Sequence, residues 1–502
     1  MLQCALSPHA KLRTPLHDFA QRIEPHSMGA SLLDLPNEVL ENVDEHIPDK
    51  KSLKAFMICH SRLQAVGRRT LFRSFKVRTQ PSKPNPLQAA CQFLRTHEDV
   101  KLSVRTLTVS GVAAGTDRRT QDWGTVTASM VLLLLREVPL ASVLILEMVN
   151  WWNVGRSPQE IAGSVDAHRA GGHSKALKKV VLDRVGAAQG VYGPLVLLLL
   201  PHVTAVHLTN CIWPPTADAG PLTRKPSCTA LFVHGTTSTF PSAIPGSCGP
   251  IVRLSIDKLL VRADHIRGMN RMLTSFADTL EELSIRTTSL GSASIAASYT
   301  HADADLTTVL GGPKPAWQAG FQCLRRLRTL RLAIQYPAIP SRDPHNAVFV
   351  WRFIPTVATL CPATAAELEV IIDLSTLPSA RLAKAYVAHI TWEELGDALH
   401  GTSITALRIH IAINLRVAPH GNVNVLDCEA VWNRLGAAIS NGRQSATLYE
   451  RKLITDDEHR RSGREGSLRG CGKSGWVVMA RRSMSQYDLE RRSTNTPERL
   501  MR

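Results

Sequence analysis

The sequence predicts an α/β fold, in which a small helical unit near the N-terminus precedes a long body of parallel strands and helices. Two observations predict it. A short phrase with apolar residues at its first, fourth and sixth positions recurs along residues 104–409, and helical patterns lie between several of its copies. The chain of 502 residues is also too long for one ordinary core, which favours several domains or a repeat array.

The segment from Leu33 to Phe72 predicts three helices in about forty residues. Pro36 suits the first turn of a helix, where the missing amide hydrogen is not needed, and Pro48 ends that helix. Ser61 and Gln64 have the spacing of a capping box that starts the third helix. A unit of this size buries little surface, so it is normally completed by a partner or by the rest of its chain.

This segment resembles the F-box family. Members open with Leu-Pro, an acidic residue and an aliphatic pair, and later carry a Cys-plus-polar step before a Leu. The matching positions here are Leu35, Pro36, Glu38, Val39, Leu40, Val43, Leu53, Cys59, His60 and Leu63. His60 stands where Lys or Arg is common and Val43 where Ile is, while the later Leu71–Phe72 pair is similar to fungal F-box proteins. A plain amphipathic three-helix start would explain the apolar stripes but not the joint occurrence of these motifs.

The resemblance implies that the helices bind the Skp-type adaptor of a cullin–RING ubiquitin ligase. In the family this contact is a helix-packing interface. The residues expected to make it are Leu35, Pro36, Glu38, Val39, Leu40, Val43, Leu53, Cys59 and Leu63.

The recurring phrase predicts strands with one apolar face, because alternate side chains of a strand point to the same side. Its copies are Val104–Leu107–Val109, Val143–Leu146–Met148, Leu177–Val180–Leu182, Val203–Val206–Leu208, Cys228–Leu231–Val233, Ile251–Leu254–Ile256, Leu280–Leu283–Ile285, Leu327–Leu330–Leu332, Ala365–Leu368–Val370 and Ile404–Leu407–Ile409. The helices predicted between them are Asp122–Val138, His265–Thr279, Asn346–Leu360 and Trp392–Leu399.

This alternation is leucine-rich-repeat-like but irregular, as the body of many F-box proteins is. Successive phrases lie roughly 23 to nearly 50 residues apart, against 20–29 residues in regular leucine-rich repeats. An α/β domain with a parallel sheet would produce the same order of strands and helices. Both architectures stay open from the sequence.

The sequence divides into four parts. Residues 1–30 form a leader predicted to be disordered, residues 31–75 the F-box-like helical domain, and residues 100–440 the leucine-rich-repeat-like α/β body. Residues 442–502 contain three Arg-Arg-Ser triplets and few aliphatic residues, so this tail is predicted to be basic and disordered.

No catalytic or metal-binding pattern emerges, so we expect no enzyme activity and no cofactor. The ten cysteines include no C-x-x-C pair, and the nineteen histidines form no H-E-x-x-H motif. The stretch from Gly470 to Ser474 echoes the end of a P-loop but lacks its first glycine, because Ser467 stands there. No apolar stretch is long enough for a membrane span, which favours the cytoplasm, the nucleus or both.

Two functions remain in contention from the sequence. In the first, the protein is a non-catalytic substrate receptor of an SCF-type cullin–RING ubiquitin ligase, whose repeat body binds an unknown protein substrate. In the second, it is a basic scaffold that binds nucleic acid or an acidic partner, which the net charge of +17 permits. Nucleic acid is the less favoured partner, because only 5% of the residues are aromatic and much of the basic excess lies in the tail.

Overall fold

The fold is known from a computed structural model. It describes residues 35–36, 39–40, 47, 50–79, 86–111, 124–151, 163, 167, 176–187, 202–211, 228–235, 250–259, 263–288, 318–335, 345–375, 377, 380–414, 431, 433–434, 445–455 and 474–484. The predicted leader, residues 1–30, lies outside these residues.

The described residues form ten helices and sixteen strands. The helices are α1 (Lys50–Cys59), α2 (Ser61–Phe72), α3 (Pro86–Thr96), α4 (Glu98–Ser103), α5 (Ala128–Glu137), α6 (Ala263–Ser275), α7 (Gln318–Gln322), α8 (His345–Thr359), α9 (Ala380–Ala388) and α10 (Trp392–Leu399). The strands are β1 (Ser74–Arg78), β2 (Thr106–Ser110), β3 (Gly124–Val126), β4 (Val143–Glu147), β5 (Val149–Trp151), β6 (Lys179–Asp183), β7 (Gly186–Ala187), β8 (Ala205–Thr209), β9 (Ala230–His234), β10 (Arg253–Leu259), β11 (Glu282–Thr288), β12 (Thr329–Gln335), β13 (Glu367–Asp373), β14 (Ala406–Asn414), β15 (Ser445–Thr455) and β16 (Ser474–Met484).

Thirteen of the strands form one large sheet whose spatial order follows the chain. The order is β1-β2-β4-β6-β8-β9-β10-β11-β12-β13-β14-β15-β16, and β3-β5-β7 form a small second sheet. Neighbours in the large sheet pair in parallel from β1 to β15, and β16 pairs antiparallel to β15. The predicted α/β class with parallel strands is therefore confirmed. The order contains no reversal, so the sheet lacks the switch point of a doubly wound fold.

Two continuous rows of apolar side chains cross ten strands of this sheet and form its core. In the first row the register aligns Leu107, Leu144, Val180, Val206, Leu231, Leu254, Leu283, Leu330, Leu368 and Leu407. In the second row it aligns Val109, Leu146, Leu182, Leu208, Val233, Ile256, Ile285, Leu332, Val370 and Ile409. None of these side chains is more than 2% exposed, so the core is one ladder shared by the strands.

Nine of the ten predicted phrases point into this core. The exception is Val143–Leu146–Met148, because the structure buries Ala141 and Leu144 together with Leu146 and leaves Val143 partly exposed. The mistake has a simple cause. Residues 143–146 are all aliphatic, so the sequence of this strand does not reveal which face is apolar.

The strands β4, β6, β8 and β9 end in the same backbone turn. The residue after each strand has a positive φ, and its amide donates to a carbonyl of the next strand in the sheet, as Arg184 does to Thr209 at 2.7 Å. These residues are Met148 (φ 50°), Arg184 (φ 53°), Asn210 (φ 48°) and Gly235 (φ 58°). Four successive copies of one turn show that this part of the body repeats in backbone as well as in sequence.

The body begins earlier than predicted. Strand β1, Ser74–Arg78, already pairs with β2 of the large sheet, although the predicted body starts at residue 100. Helix α3 follows and buries Leu87, Cys91 and Leu94, which have helical spacing. The N-terminal helical unit is thus joined to the sheet by its next strand, without a separate linker.

Two stretches of residues 442–502, the segment predicted to be disordered, lie in strands. Strand β15 pairs with β14 over nine residues, from Ala406↔Ser445 to Asn414↔Leu453, and β16 continues the sheet. Backbone pairing explains this, because the edge of β14 offers hydrogen-bonding groups to a following segment whatever its apolar content. One of the three Arg-Arg-Ser triplets, which includes Arg481 and Arg482, lies in β16.

The predicted helices are present with shifted ends. Trp392–Leu399 is confirmed as α10, and α6 and α8 begin within two residues of their predicted starts. The predicted helix from Asp122 begins instead at Ala128, because Gly124–Val126 forms β3 and the Thr127 hydroxyl caps the helix by accepting from the Met130 amide at 3.3 Å. None of the helices in the described residues has the length and apolar character needed to cross a membrane.

Candidate functional site

The N-terminal helices have a small core of their own. Leu40, Leu63 and Val66 are buried together, with Leu35 and Phe56 packed against them, apart from the large core of the sheet. The helices α1 and α2 approach closely at Gly67, where an added Cβ would clash with the side chain of Met57. A side chain at position 67 would therefore force Met57 to move.

The start of this unit is held in place by two sets of hydrogen bonds. The Pro36 carbonyl accepts from the amides of Val39 and Leu40, both at 3.1 Å, so a helical turn follows Pro36 as predicted. The Arg62 guanidinium donates from Nη2 to the Leu35 carbonyl at 2.8 Å and ties this turn to α2. The Leu-Pro step is thus fixed by α2.

The predicted capping box of the third helix is wrong. His60, and not Ser61, is the residue before α2, and its Nδ1 accepts from the Arg62 amide at 3.1 Å. The His60 backbone is extended, which suits an N-cap. Histidine is an uncommon cap, so the sequence favoured the neighbouring serine.

The predicted adaptor-binding residues fall into two groups. Leu40, Leu53 and Leu63 are 5% exposed or less, so they support the unit and offer little surface to a partner. Pro36, Val39 and Cys59 are exposed and Leu35 is half-buried, which leaves these four accessible. Glu38 and Val43 lie outside the described residues.

The sequence reading missed Ile58, which is the most exposed large apolar residue of the described chain at 85%. It lies in the last turn of α1, off the stripe formed by Leu53, Phe56 and Met57. An isoleucine outside the apolar stripe of an amphipathic helix is the signal that could have identified it.

A groove of about 780 Å³ separates the N-terminal unit from the first helices of the body. Its lining includes Met57, Ile58, Leu71 and Phe93. An ion pair of 3.4 Å between Arg68 of α2 and Asp99 of α4 crosses the same region. The unit and the body therefore meet through α2 and α4, while Ile58 stays at the rim of the groove.

The face of the large sheet opposite its core, here called the polar face, carries balanced charge. Among the side chains that the structure describes in β1 to β14, seven acidic and seven basic residues alternate with the core positions. The basic residues are Lys76, Arg78, Lys179, Arg253, Arg286, Arg331 and Arg408, and the acidic residues are Glu147, Asp183, Asp257, Glu282, Glu367, Glu369 and Asp373. No excess of either sign distinguishes this part of the face.

One buried ion cluster lies on the polar face at β12 to β14. Arg331 donates to Oε2 of Glu369 from Nη2 at 2.6 Å and from Nε at 2.7 Å, and Nε2 of His410 lies 3.0 Å from Oε1 of Glu369. Burial alone would raise the pKa of Glu369, but hydrogen bonds from His410 and Arg331 and the charges of both residues outweigh it and lower the pKa to about 2. Glu369 is therefore ionised at neutral pH.

A second charge network runs along the C-terminal ends of β9 to β13. His234 Nδ1 lies 2.6 Å from Oδ2 of Asp257, and Nε of Arg286 lies 3.9 Å from Oδ1 of the same carboxylate. Arg286 also donates from Nη2 to Asp373 at 3.2 Å, and it can cross β12 because its register neighbour there is the small Ala333. One guanidinium thus serves two carboxylates on different strands.

Beside this network the polar face has a depression of about 340 Å³. His207 and Phe232, register partners on β8 and β9, stack with their ring centres 4.1 Å apart and line it, together with Ser255 and the pair of His234 and Asp257. Burial, with a smaller contribution from the Lys179 charge, lowers the pKa of His207 to about 4. At neutral pH the stack is uncharged.

Comparison with known proteins adds no family. No model of a known protein family matches this chain, and no curated protein does.

Within the described residues, no group of three or more His, Cys, Asp or Glu side chains has the arrangement to hold a metal ion. Burial raises the pKa of Cys211 to about 12 and that of Cys228 to about 11, so these thiols are protonated at neutral pH.

Proposed function

We propose that this protein is the substrate receptor of an SCF-type cullin–RING ubiquitin ligase. Its N-terminal unit would bind the Skp-type adaptor, and its body would bind a protein substrate. The observation that carries the proposal is the separate N-terminal core around Leu40, Leu63 and Val66, which leaves Val39 and Ile58 exposed. Exposed aliphatic residues on a small helical unit mark a docking surface, because desolvating them supplies binding energy.

The order of motifs supports the family resemblance. Leu35 and Pro36 start a helical turn, and the Cys59 step ends α1 directly before α2. The adaptor surface in this proposal consists of Leu35, Pro36, Val39 and Cys59, extended by Ile58. Leu40, Leu53 and Leu63 shape that surface from within.

We infer that the body is a solenoid of the leucine-rich-repeat type. Three features support this. Each large-sheet strand lies beside the next one in chain order, the apolar rows continue across ten strands, and four strands end in the same left-handed turn. Stacked units that bury a shared core are typical of such repeats, and they present one long face to a partner.

The alternative of a basic scaffold has less support. A nucleic-acid surface needs a basic stripe with interleaved aromatic residues. The polar face instead carries as many acidic as basic residues among its described side chains, and Arg331 and Arg286 are paired with carboxylates. This balance favours recognition of a protein over general attraction to a polyanion.

The test is binding of the purified full chain to a purified Skp-type adaptor, measured by biolayer interferometry. We expect the variant Val39→Asp/Ile58→Asp to lose about tenfold or more in affinity, since each change places a charge in an apolar interface. Leu35→Ala/Pro36→Ala should also abolish binding, because it removes an apolar contact and the helix start.

Leu140→Asp is the matched control. Leu140 is 39% exposed, close to the 40% of Val39, but lies in the body. It should bind the adaptor like the parent. Failure of the parent chain to bind, or parent-like binding by Val39→Asp/Ile58→Asp, would refute the proposal.

A further inference from the structure

An apolar row interrupts the polar face of the sheet. Ile145, Val181, His207 and Phe232 are register partners on the adjacent strands β4, β6, β8 and β9. All four lie on the face opposite the core and are partly exposed. In a sheet with one buried face these positions are normally polar, so an apolar row here needs a different explanation from the core.

The row has defined ends and a defined size. Its neighbours in register are Thr108 on β2 and Ser255 on β10, which are both polar. Four strands at a spacing of about 4.8 Å give a row roughly 14 Å long. An extended peptide rises about 3.3 Å per residue, so four to five of its residues would cover the row.

The row ends at a depression that could hold a side chain. The stack of His207 and Phe232 lines the depression of about 340 Å³ on the polar face. Because the pKa of His207 is lowered to about 4, the stack is an uncharged aromatic surface at neutral pH. Such a surface accepts aliphatic side chains or a planar guanidinium.

Carboxylates line one side of the row. Glu147, Asp183 and Asp257 follow Ile145, Val181 and Ser255 two residues later on the same strands, and their side chains are each at least 25% exposed. Arg184 contacts both Asp183, at 2.9 Å, and Glu147, at 3.8 Å. Lys76 also contacts Glu147, at 2.9 Å. With Asp373, four carboxylates thus share the three fixed cations Lys76, Arg184 and Arg286, which leaves one negative charge in excess and favours a further cation.

We propose that this part of the polar face binds a peptide segment of a partner protein that carries apolar side chains next to Lys or Arg. The apolar side chains would lie on Ile145, Val181 and the ring stack, and the basic side chain would reach Asp183 or Asp257. The assignment of this partner as a ubiquitin-ligase substrate rests on the proposed receptor function. The peptide-binding surface itself does not depend on the receptor function.

The experiment uses a phage-displayed library of random dodecapeptides panned against the full chain, followed by affinities of the selected peptides from fluorescence anisotropy. We expect the library to yield peptides with alternating apolar and basic residues. Val181→Ser and Phe232→Ala should each weaken these peptides about tenfold. Asp183→Asn should reduce the preference for Lys or Arg over Glu at the same peptide positions.

Phe93→Ala is the matched aromatic control. Phe93 is 36% exposed and lies on α3, away from the polar face, so its removal should leave peptide affinity unchanged. Circular dichroism melts of all variants check that each one is folded. Selection of acidic peptides, or no selection at all, would overturn the proposal. So would peptide affinities of Val181→Ser and Phe232→Ala equal to those of the parent protein.

Two further measurements separate the possible failures. Sedimentation velocity that showed a dimer lost in Phe232→Ala would assign the row to a second copy of this chain and overturn a partner peptide. Val181→Ser and Phe232→Ala should bind the Skp-type adaptor like the parent. If the peptides bind but the adaptor does not, the receptor function is refuted and the peptide surface is retained. If the adaptor binds but the peptides do not, only the peptide surface is refuted.

Discussion

Arg331 and Glu369 face each other in register on β12 and β13, with both Nη2 and Nε of the guanidinium donating to one carboxylate oxygen. The Glu369 side chain is only 9% exposed, whereas that of Arg331 is 50% exposed. The carboxylate is thus the member of the pair that has little access to solvent. Its removal and its protonation should both be felt in the stability of the body.

The first prediction concerns Glu369 and acid. Its folded-state pKa of about 2 lies below the ordinary value of 4.5. The unfolded chain therefore takes up the proton first, so this group stabilises the fold fully above about pH 5 and loses that effect as the pH falls towards 2. Glu369→Gln should cost about 2 kcal/mol at pH 7 in urea unfolding, and the difference from the parent should shrink below pH 4.5. A difference that does not change with pH would contradict the assigned pairing.

The second prediction concerns His207, whose protonation adds a positive charge to a half-buried ring. Its folded-state pKa of about 4 lies below the ordinary value of 6.5, so the unfolded chain binds the proton first as the pH falls. Stability should therefore decline between pH 6.5 and pH 4 because of this group. His207→Gln should show a weaker pH dependence in that window by urea unfolding. An unchanged slope would show that His207 takes up its proton in the fold as readily as in the unfolded chain.

The third prediction tests the apolar rows. Leu330 is fully buried in the first row, so Leu330→Ala should destabilise the protein by about 2 to 5 kcal/mol in urea unfolding. Leu133→Ala on α5 is the matched control, since Leu133 is 38% exposed and should cost less than about 1 kcal/mol. Similar losses at both sites would mean that the rows do not form one core.

The fourth prediction tests the turn after β9. Gly235 has a φ of +58°, and an added Cβ would clash with the Asn210 side chain. Gly235→Ala should therefore lower stability by about 1 to 2 kcal/mol. Gly401→Ala, which has open space around the new Cβ, should be neutral within about 0.5 kcal/mol. Thermal melts of the two variants make the comparison.

The fifth prediction concerns residues 443–502. Their removal would delete β15 and β16 and leave β14 as an unpaired edge. We expect a lower melting temperature and more aggregation, both measurable by light scattering during a thermal melt. Adaptor binding should persist, because the N-terminal unit is at the other end of the chain. A truncated protein with the parent's melting temperature would show that the two strands add nothing to the fold.

Local patterns in the sequence were enough to find the core of the body. The phrase ending in Leu182, Leu208 or Leu332 identifies the buried face because alternation along a strand is a property of the local backbone. The same logic failed at Val143, where apolar residues occupy both faces. The misassigned strand β4 contains Ile145 of the apolar row, and local periodicity does not distinguish this row from the core.

The accessible part of the candidate docking surface depended on three-dimensional packing. The sequence motif groups Val39 with Leu40, but the fold exposes the first and buries the second. Helical spacing gives a residue's position relative to its own helix, whereas exposure depends on where α1, α2 and the preceding turn meet. Ile58 was missed for the same reason.

The sequence by itself determined the class of this protein's fold, the helix start at Pro36 and most of the residues that form its core. The tertiary structure decided the order of the strands, the pairing of β14 with β15 and the alignment of Val181 with His207 and Phe232. The physical reason is the range of the interactions. Side-chain alternation and helix starts arise between near neighbours in the chain, while strand pairing and shared carboxylates join residues that only the complete fold brings together.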